Sequence, residues 1–322
     1  MAGAGSGPGA CPGGTDPAPA GGGVSPAVYL AFVIFAWGGN YTWIKLALED
    51  GGALVFNALR YATAVALLGG ALLLWLGPRR VLPVPGERIP LALIGLLQAG
   101  VMTAGTTLAM EMIEASRTVL IAYSMPIWGM LLSFLILGER PTVAMLAGLV
   151  LGLAGLALLS APWEMDWTSR PGLVGSALAL GGTLGWALGS VLYRRRVWRS
   201  GFWAQVMGQL APSAVLIALL ALTIEARPTE PTPRYLAIVL YNGVVPTILA
   251  FWCWARALTM VPVATASQIL LLSPVFGVLL SALVLGERIS PTLIGAMALI
   301  VAGAGLSYMR RRPGPAPGGA GG

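Results

Sequence analysis

Apolar residues fill this chain in ten long runs. They cover residues 27–48, 53–76, 89–110, 114–136, 142–160, 172–193, 201–223, 234–256, 262–284 and 291–309. About 20 apolar residues are enough to carry a helix across a bilayer, so the pattern predicts ten membrane-spanning helices. Turn formers punctuate the runs: Gly51-Gly52, Pro83 and Pro85, Pro162, Pro171, Pro228, Pro231 and Pro233. No alternation of period two competes with the helical reading, which argues against a transmembrane barrel. Residues 1–25 are mostly Gly, Ala, Pro and Ser. Such a segment cannot bury a core and is expected to be disordered. It lacks the basic start and short apolar stretch of a signal peptide. Residues 310–322 read as a basic stop followed by a second loose tail.

The runs belong to a repeat. Residues 126–140 read PIWGMLLSFLILGER and residues 274–288 read PVFGVLLSALVLGER, with 10 identities in 15 positions at an offset of 148. Self-similarity at one fixed offset marks a duplicated structural unit. The expected units are 26–160 and 172–309, with five helices each. An odd number of crossings means that the second unit enters the membrane from the opposite side. That is an inverted-topology repeat, the plan of many secondary transporters. The fold expected is therefore an all-α integral membrane protein, with ten transmembrane helices in two inverted five-helix repeats around a central cavity.

Composition agrees. The 322 residues are 57% hydrophobic and 10% charged, against roughly 25% charged in soluble domains. The net charge of +7 would suggest nucleic acid in a soluble protein. Here it reports basic loops instead. With the N-terminus in the cytoplasm, twelve arginines fall on the cytoplasmic side and four on the outer side. Both termini are thus expected inside a bacterial inner membrane. There is no histidine, and the two cysteines, Cys11 and Cys253, lie far apart in a tail and an apolar run. Neither a metal site nor a disulfide is expected. No phosphate-binding loop, nucleotide fingerprint or Ser-His pair is present, so no cofactor, no direct use of ATP and no enzyme activity are expected.

The first run reads WGGNYTWIKLAL over 37–48, the second contains ALRYATAVALL over 58–68, and the mid-run proline with LGER occurs twice. In these features the chain resembles the EamA family of the drug/metabolite transporter superfamily, over about residues 27–309. Within that family it is similar to the amino-acid exporters of the YddG type. The resemblance implies export or exchange of small metabolites, neutral and aromatic amino acids among them.

Polar and aromatic residues at membrane depth are the candidate binding groups, because lipid cannot satisfy them. Trp37, Asn40, Tyr41, Ile44 and Lys45 share one helix face. Trp186, Ser190 and Tyr193 share another, so Trp37 and Trp186 are candidate symmetry mates. Gln98, Asn242 and Gln268 carry amides with donors and acceptors to place. Each of these residues either lines a substrate cavity or ties helices together. Lys45, Arg60, Glu111 and Glu114 lie toward the outer helix ends. They form either an ion-paired gate or, through Lys45 or Arg60, a receptor for a substrate carboxylate. Pro126 and Pro274 bend their helices in equivalent places, as hinges or as static kinks. The expected partners are a neutral amino acid and the bilayer, with no nucleic acid, and the protein is expected to act as a monomer. The alternatives are a channel, a lipid-modifying enzyme, or a carrier of nucleotide sugars or cationic drugs. No acidic residue sits at the midplane, which favours exchange or facilitated diffusion over proton coupling.

Overall fold

The computed structural model describes residues 24–78, 81–164, 167–285 and 290–309. The side chains of 41, 42, 115, 116, 164, 281, 284, 285, 308 and 309 are excepted. Residues 1–23, 310–322 and the second Gly286-Glu287-Arg288 lie outside the described residues. The described residues form helices and turns, with no strand among them. Among the described residues nine helical spans are long and apolar enough to cross a membrane: Pro26–Asp50, Ala53–Leu76, Pro85–Met110, Arg117–Leu137, Val143–Ser160, Arg170–Arg195, Phe202–Ile224, Pro233–Met260 and Val263–Leu280. A shorter apolar helix, Pro291–Ser307, follows and is numbered ten below. Leu74, Trp75, Val143, Leu222 and Leu283 are all more than 80% exposed. Water would penalise so many bare apolar side chains, whereas lipid does not. This is a multi-pass membrane protein.

Local signals start and stop the spans. Ser25 and Pro26 open the first: the Ser25 hydroxyl accepts from the Ala27 amide at 3.3 Å, and proline lacks the amide that would go unpaired. Thr232 and Pro233 open the eighth in the same way, with Thr232 accepting from the Tyr235 amide at 3.1 Å. Gly138 closes the fourth at φ +69°, where a side chain would be strained.

Five spans are irregular: the first turns at Gly39, between Pro26–Gly38 and Asn40–Asp50, and the other four form matched pairs. The fourth breaks between Ala122 and Met125, and the ninth between Leu270 and Leu272. Ala122 and Leu270 are related by the 148-residue offset. The cause is Pro126 and its counterpart Pro274, which have no amide to offer the carbonyl four residues back. Below Pro126 the bonding tightens, with the Ser124 amide donating to Ile121 O at 3.1 Å. The Leu271 amide does the same with Gln268 O at 3.2 Å. Each proline was expected in mid-helix; Pro126 instead opens a second half-helix, and Pro274 lies in the first turn of another. The third and eighth spans each contain a π-helical stretch, Leu96–Val101 and Gly243–Leu249. In the eighth, Pro246 leaves the Asn242 carbonyl without its helical partner, and the Thr247 hydroxyl fills the gap at 2.7 Å. Wide turns of this kind gather at functional sites.

Spans five and ten approach through small residues. A Cβ on Gly148 would stand 2.6 Å from Gly303 O, and one on Gly303 would stand 2.5 Å from Gly148 O. Only glycine lets two helix backbones come this close, as in membrane helix pairs generally.

Candidate functional site

A cavity of ≈ 560 Å³ opens among spans one to four and reaches the middle of the bundle. Its mouth lies beside the loops at 51–52 and 111–114, where Lys45 and Glu111 are exposed. Below the mouth the wall carries Asn57, Arg60 and Tyr61 from span two, and Thr103, Thr106 and Thr107 from span three. Asn57 and Tyr61 brace that wall. The Asn57 amide donates to Ala53 O at 2.9 Å and to the Thr107 hydroxyl at 3.0 Å. The Tyr61 hydroxyl is 2.9 Å from that of Thr103.

The floor is aromatic. Trp37 and Trp186 meet edge-on with ring centroids 5.0 Å apart, and Phe251 lies 5.9 Å from Trp37 and 5.7 Å from Trp186. Trp254 packs beneath, 6.0 Å from Trp37. The Trp37 indole donates to Pro246 O at 2.8 Å. The π-helical stretch of span eight therefore holds the floor in place.

Beyond the floor the bundle is closed. The Arg194 Nε donates to Glu139 at 2.9 Å, and the same guanidinium donates to Leu258 O at 2.8 Å and Val261 O at 2.5 Å. One side chain of span six thereby ties the Gly138-Glu139-Arg140 end of span four to the turn between spans eight and nine. Glu87, 3% exposed, accepts from the amides of Arg199 at 2.7 Å and Ser200 at 3.0 Å. That joins the start of span three to the turn after span six.

The expected binding residues divide. Trp37, Asn40, Gln98 and Trp186 line the cavity. The side chain of Tyr41 lies outside the described residues. Ser190, Asn242 and Gln268 do not line it. Ser190 takes the Gln98 amide at 2.8 Å and donates to Trp186 O at 2.8 Å. Asn242 bonds Ile238 O at 3.1 Å, and Gln268 bonds Met145 O at 2.8 Å, both within helix packing. For these three the helix-tying role describes the geometry, because each donates to a carbonyl of a packed helix, although the amide oxygens of Asn242 and Gln268 have no partner among the described residues. Lys45, Arg60 and Glu111 line the cavity, whereas Glu114 faces a shallow cleft of ≈ 330 Å³ beside it. Lys45, Arg60 and Glu111 form no ion pair with any described residue. Asn57, Tyr61 and Phe251 were missed. Asn57, Arg60 and Tyr61 stand at i, i+3 and i+4, a spacing that places all three on one helix face.

The profile of the EamA-like transporter family matches residues 25–161 and again 173–309. This chain belongs to the EamA-like transporter family. Members of similar sequence include the "uncharacterized transporter YoaV" of Bacillus subtilis, 29% identical over 285 residues, covering 84% of this chain and 92% of that protein. A "probable terminal-alkyne amino-acid exporter" of Streptantibioticus cattleyicolor is 27% identical over 308 residues, covering 92% and 99%. A solved structure described as "Crystal structure of protein" shares the fold, with TM-score 0.76 and 23% identity over 88% of this chain and 96% of its own. Within the family's two matched segments lie the two spans broken beside proline and both π-helical stretches. Relatives in this family are named as transporters or exporters.

Proposed function

We propose that the protein is a secondary transporter of small neutral amino acids, aromatic ones included, of the YddG type. The observation that carries this reading is the one-sided cavity: polar and charged near its mouth, aromatic at its floor, closed beyond it. Such a site suits a solute with a zwitterionic end and an apolar end. A volume of ≈ 560 Å³ holds an amino acid of any natural size with water. The closed far end supports a carrier over an open pore. The relative named as an amino-acid exporter supports the substrate class.

Transport proceeds by alternating access between two five-span units, 26–160 and 172–309, inserted in opposite senses in a bacterial inner membrane. Both termini are cytoplasmic, and the protein works as a monomer without a cofactor. In this orientation the cavity mouth faces outward, so the conformation is outward-open. The paired breaks at Pro126 and Pro274 supply bending points at equivalent places in the two units. No carboxylate of the described residues lines the cavity at its floor, which favours exchange or facilitated movement down the solute's gradient.

Counterflow in proteoliposomes tests the proposal. Vesicles holding one unlabelled amino acid should accumulate the labelled form saturably, without an ion gradient. Absence of accumulation across a panel of neutral amino acids, by folded protein, would refute the substrate class.

A further inference from the structure

Three of the residues lining the cavity are charged: Lys45, Arg60 and Glu111. Lys45 and Glu111 are exposed at the mouth, but Arg60 is half-buried. It lies seven residues beyond the start of span two at Ala53, about 10 Å along a helix axis. At that depth an ionised side chain needs water, an opposite charge or a ligand. Arg60 makes no ion pair with a described residue, although Glu111 faces the same cavity. Its Nε is buried without a hydrogen-bond partner. Its guanidinium sits over the ring of Tyr61, 5.0 Å from the centroid. That ring is fixed in turn, because the Tyr61 hydroxyl is tied to Thr103 and lies 3.4 Å from Ala99 O. The result is a placed cation with donors to spare, on the wall above an aromatic floor.

We propose that Arg60 binds the carboxylate of the transported solute, with the solute's apolar group turned toward Trp37 and Phe251. This rests on the carrier reading above and deepens it, since it makes a free carboxylate a requirement for transport. The planar guanidinium fork matches a carboxylate with two parallel hydrogen bonds. A phosphate is a poorer fit here, because Glu111 on the same wall repels a dianion while attracting an ammonium group. Lys45 is the weaker candidate, since its ammonium is exposed and hydrated at the rim.

The test is counterflow of labelled phenylalanine by the full-length protein, with competition by phenylalaninamide and phenethylamine. In both competitors the carboxylate is neutralised or missing. Wild type should prefer phenylalanine over both analogues by about tenfold or more. Arg60→Gln should weaken phenylalanine by roughly ten- to a hundredfold and abolish that preference, with Arg60→Lys intermediate. An Arg60→Gln protein with wild-type affinity and preference would overturn the proposal. So would a wild type that binds phenethylamine as well as phenylalanine, a result that needs no variant to fold. If wild type moves no neutral amino acid at all, the carrier reading itself fails; that result is distinguishable from transport without an Arg60 effect.

Discussion

In the proposed transport cycle, opening the closed end requires Arg194 to let go. Its guanidinium bonds the Glu139 carboxylate and the Leu258 and Val261 carbonyls, across three parts of the bundle. The side chains of Arg194 and Glu139 are 24% and 29% exposed, so the pair is partly screened. Glu139→Gln keeps an oxygen acceptor and loses only charge, a loss of about 1 kcal/mol. Arg194→Gln also removes the bonds to the two carbonyls, for about 2–3 kcal/mol in all. At roughly 1.4 kcal/mol per tenfold, the state open at this end should gain population about 5-fold in the first variant. In the second it should gain roughly 30- to 150-fold. The reporter is Val261→Cys in a background where Cys11 and Cys253 are serine. Val261 is fully buried, and its backbone carbonyl survives the change. Its rate of reaction with a membrane-impermeant thiol reagent, applied from that side, scales with the minor population. An Arg194→Gln rate within about twofold of the parent would refute the reasoning that this cluster holds the end shut.

Three other perturbations separate the remaining ideas. Pro126→Ala restores an amide for the Ala122 carbonyl and should straighten span four; turnover in counterflow should slow with affinity near normal, and unchanged turnover removes the hinge. Cysteine at Thr106, on the cavity wall, should react with a small polar thiol reagent and be protected by substrate, while cysteine at Gln268 should stay inert; equal reactivity would misplace the cavity. Gly303→Ala puts a Cβ 2.5 Å from Gly148 O and 2.7 Å from Gly152 N. Backbone atoms on both sides cannot yield, so the variant should lose about 1–3 kcal/mol, read as a lower Tm in detergent; an unchanged Tm would mean that spans five and ten are free to separate.

The sequence by itself determined the solvent, the helical class and the duplication. Ten apolar runs need lipid, and PxxGxLLSxLxLGER twice at one offset marks two related units. Trp37, Asn40, Gln98, Trp186, Lys45, Arg60 and Glu111 could be singled out because polar or aromatic residues within apolar runs are costly unless they face something. Only the tertiary structure decided what each one faces. Gln98, Asn242 and Gln268 are chemically alike, yet Gln98 reaches the cavity while the other two bond helix backbone. The difference lies in which neighbour presents a carbonyl, and that depends on crossing angles and rotations that periodicity does not encode. The π-helical stretch of span three was equally illegible, since Leu96–Val101 holds no proline, whereas Pro246 marks the one in span eight. Phe251 reads in sequence as one more lipid-facing apolar residue. It reaches the floor only because spans one, six and eight converge there, bringing the rings of Trp37, Trp186 and Phe251 within 6 Å of each other.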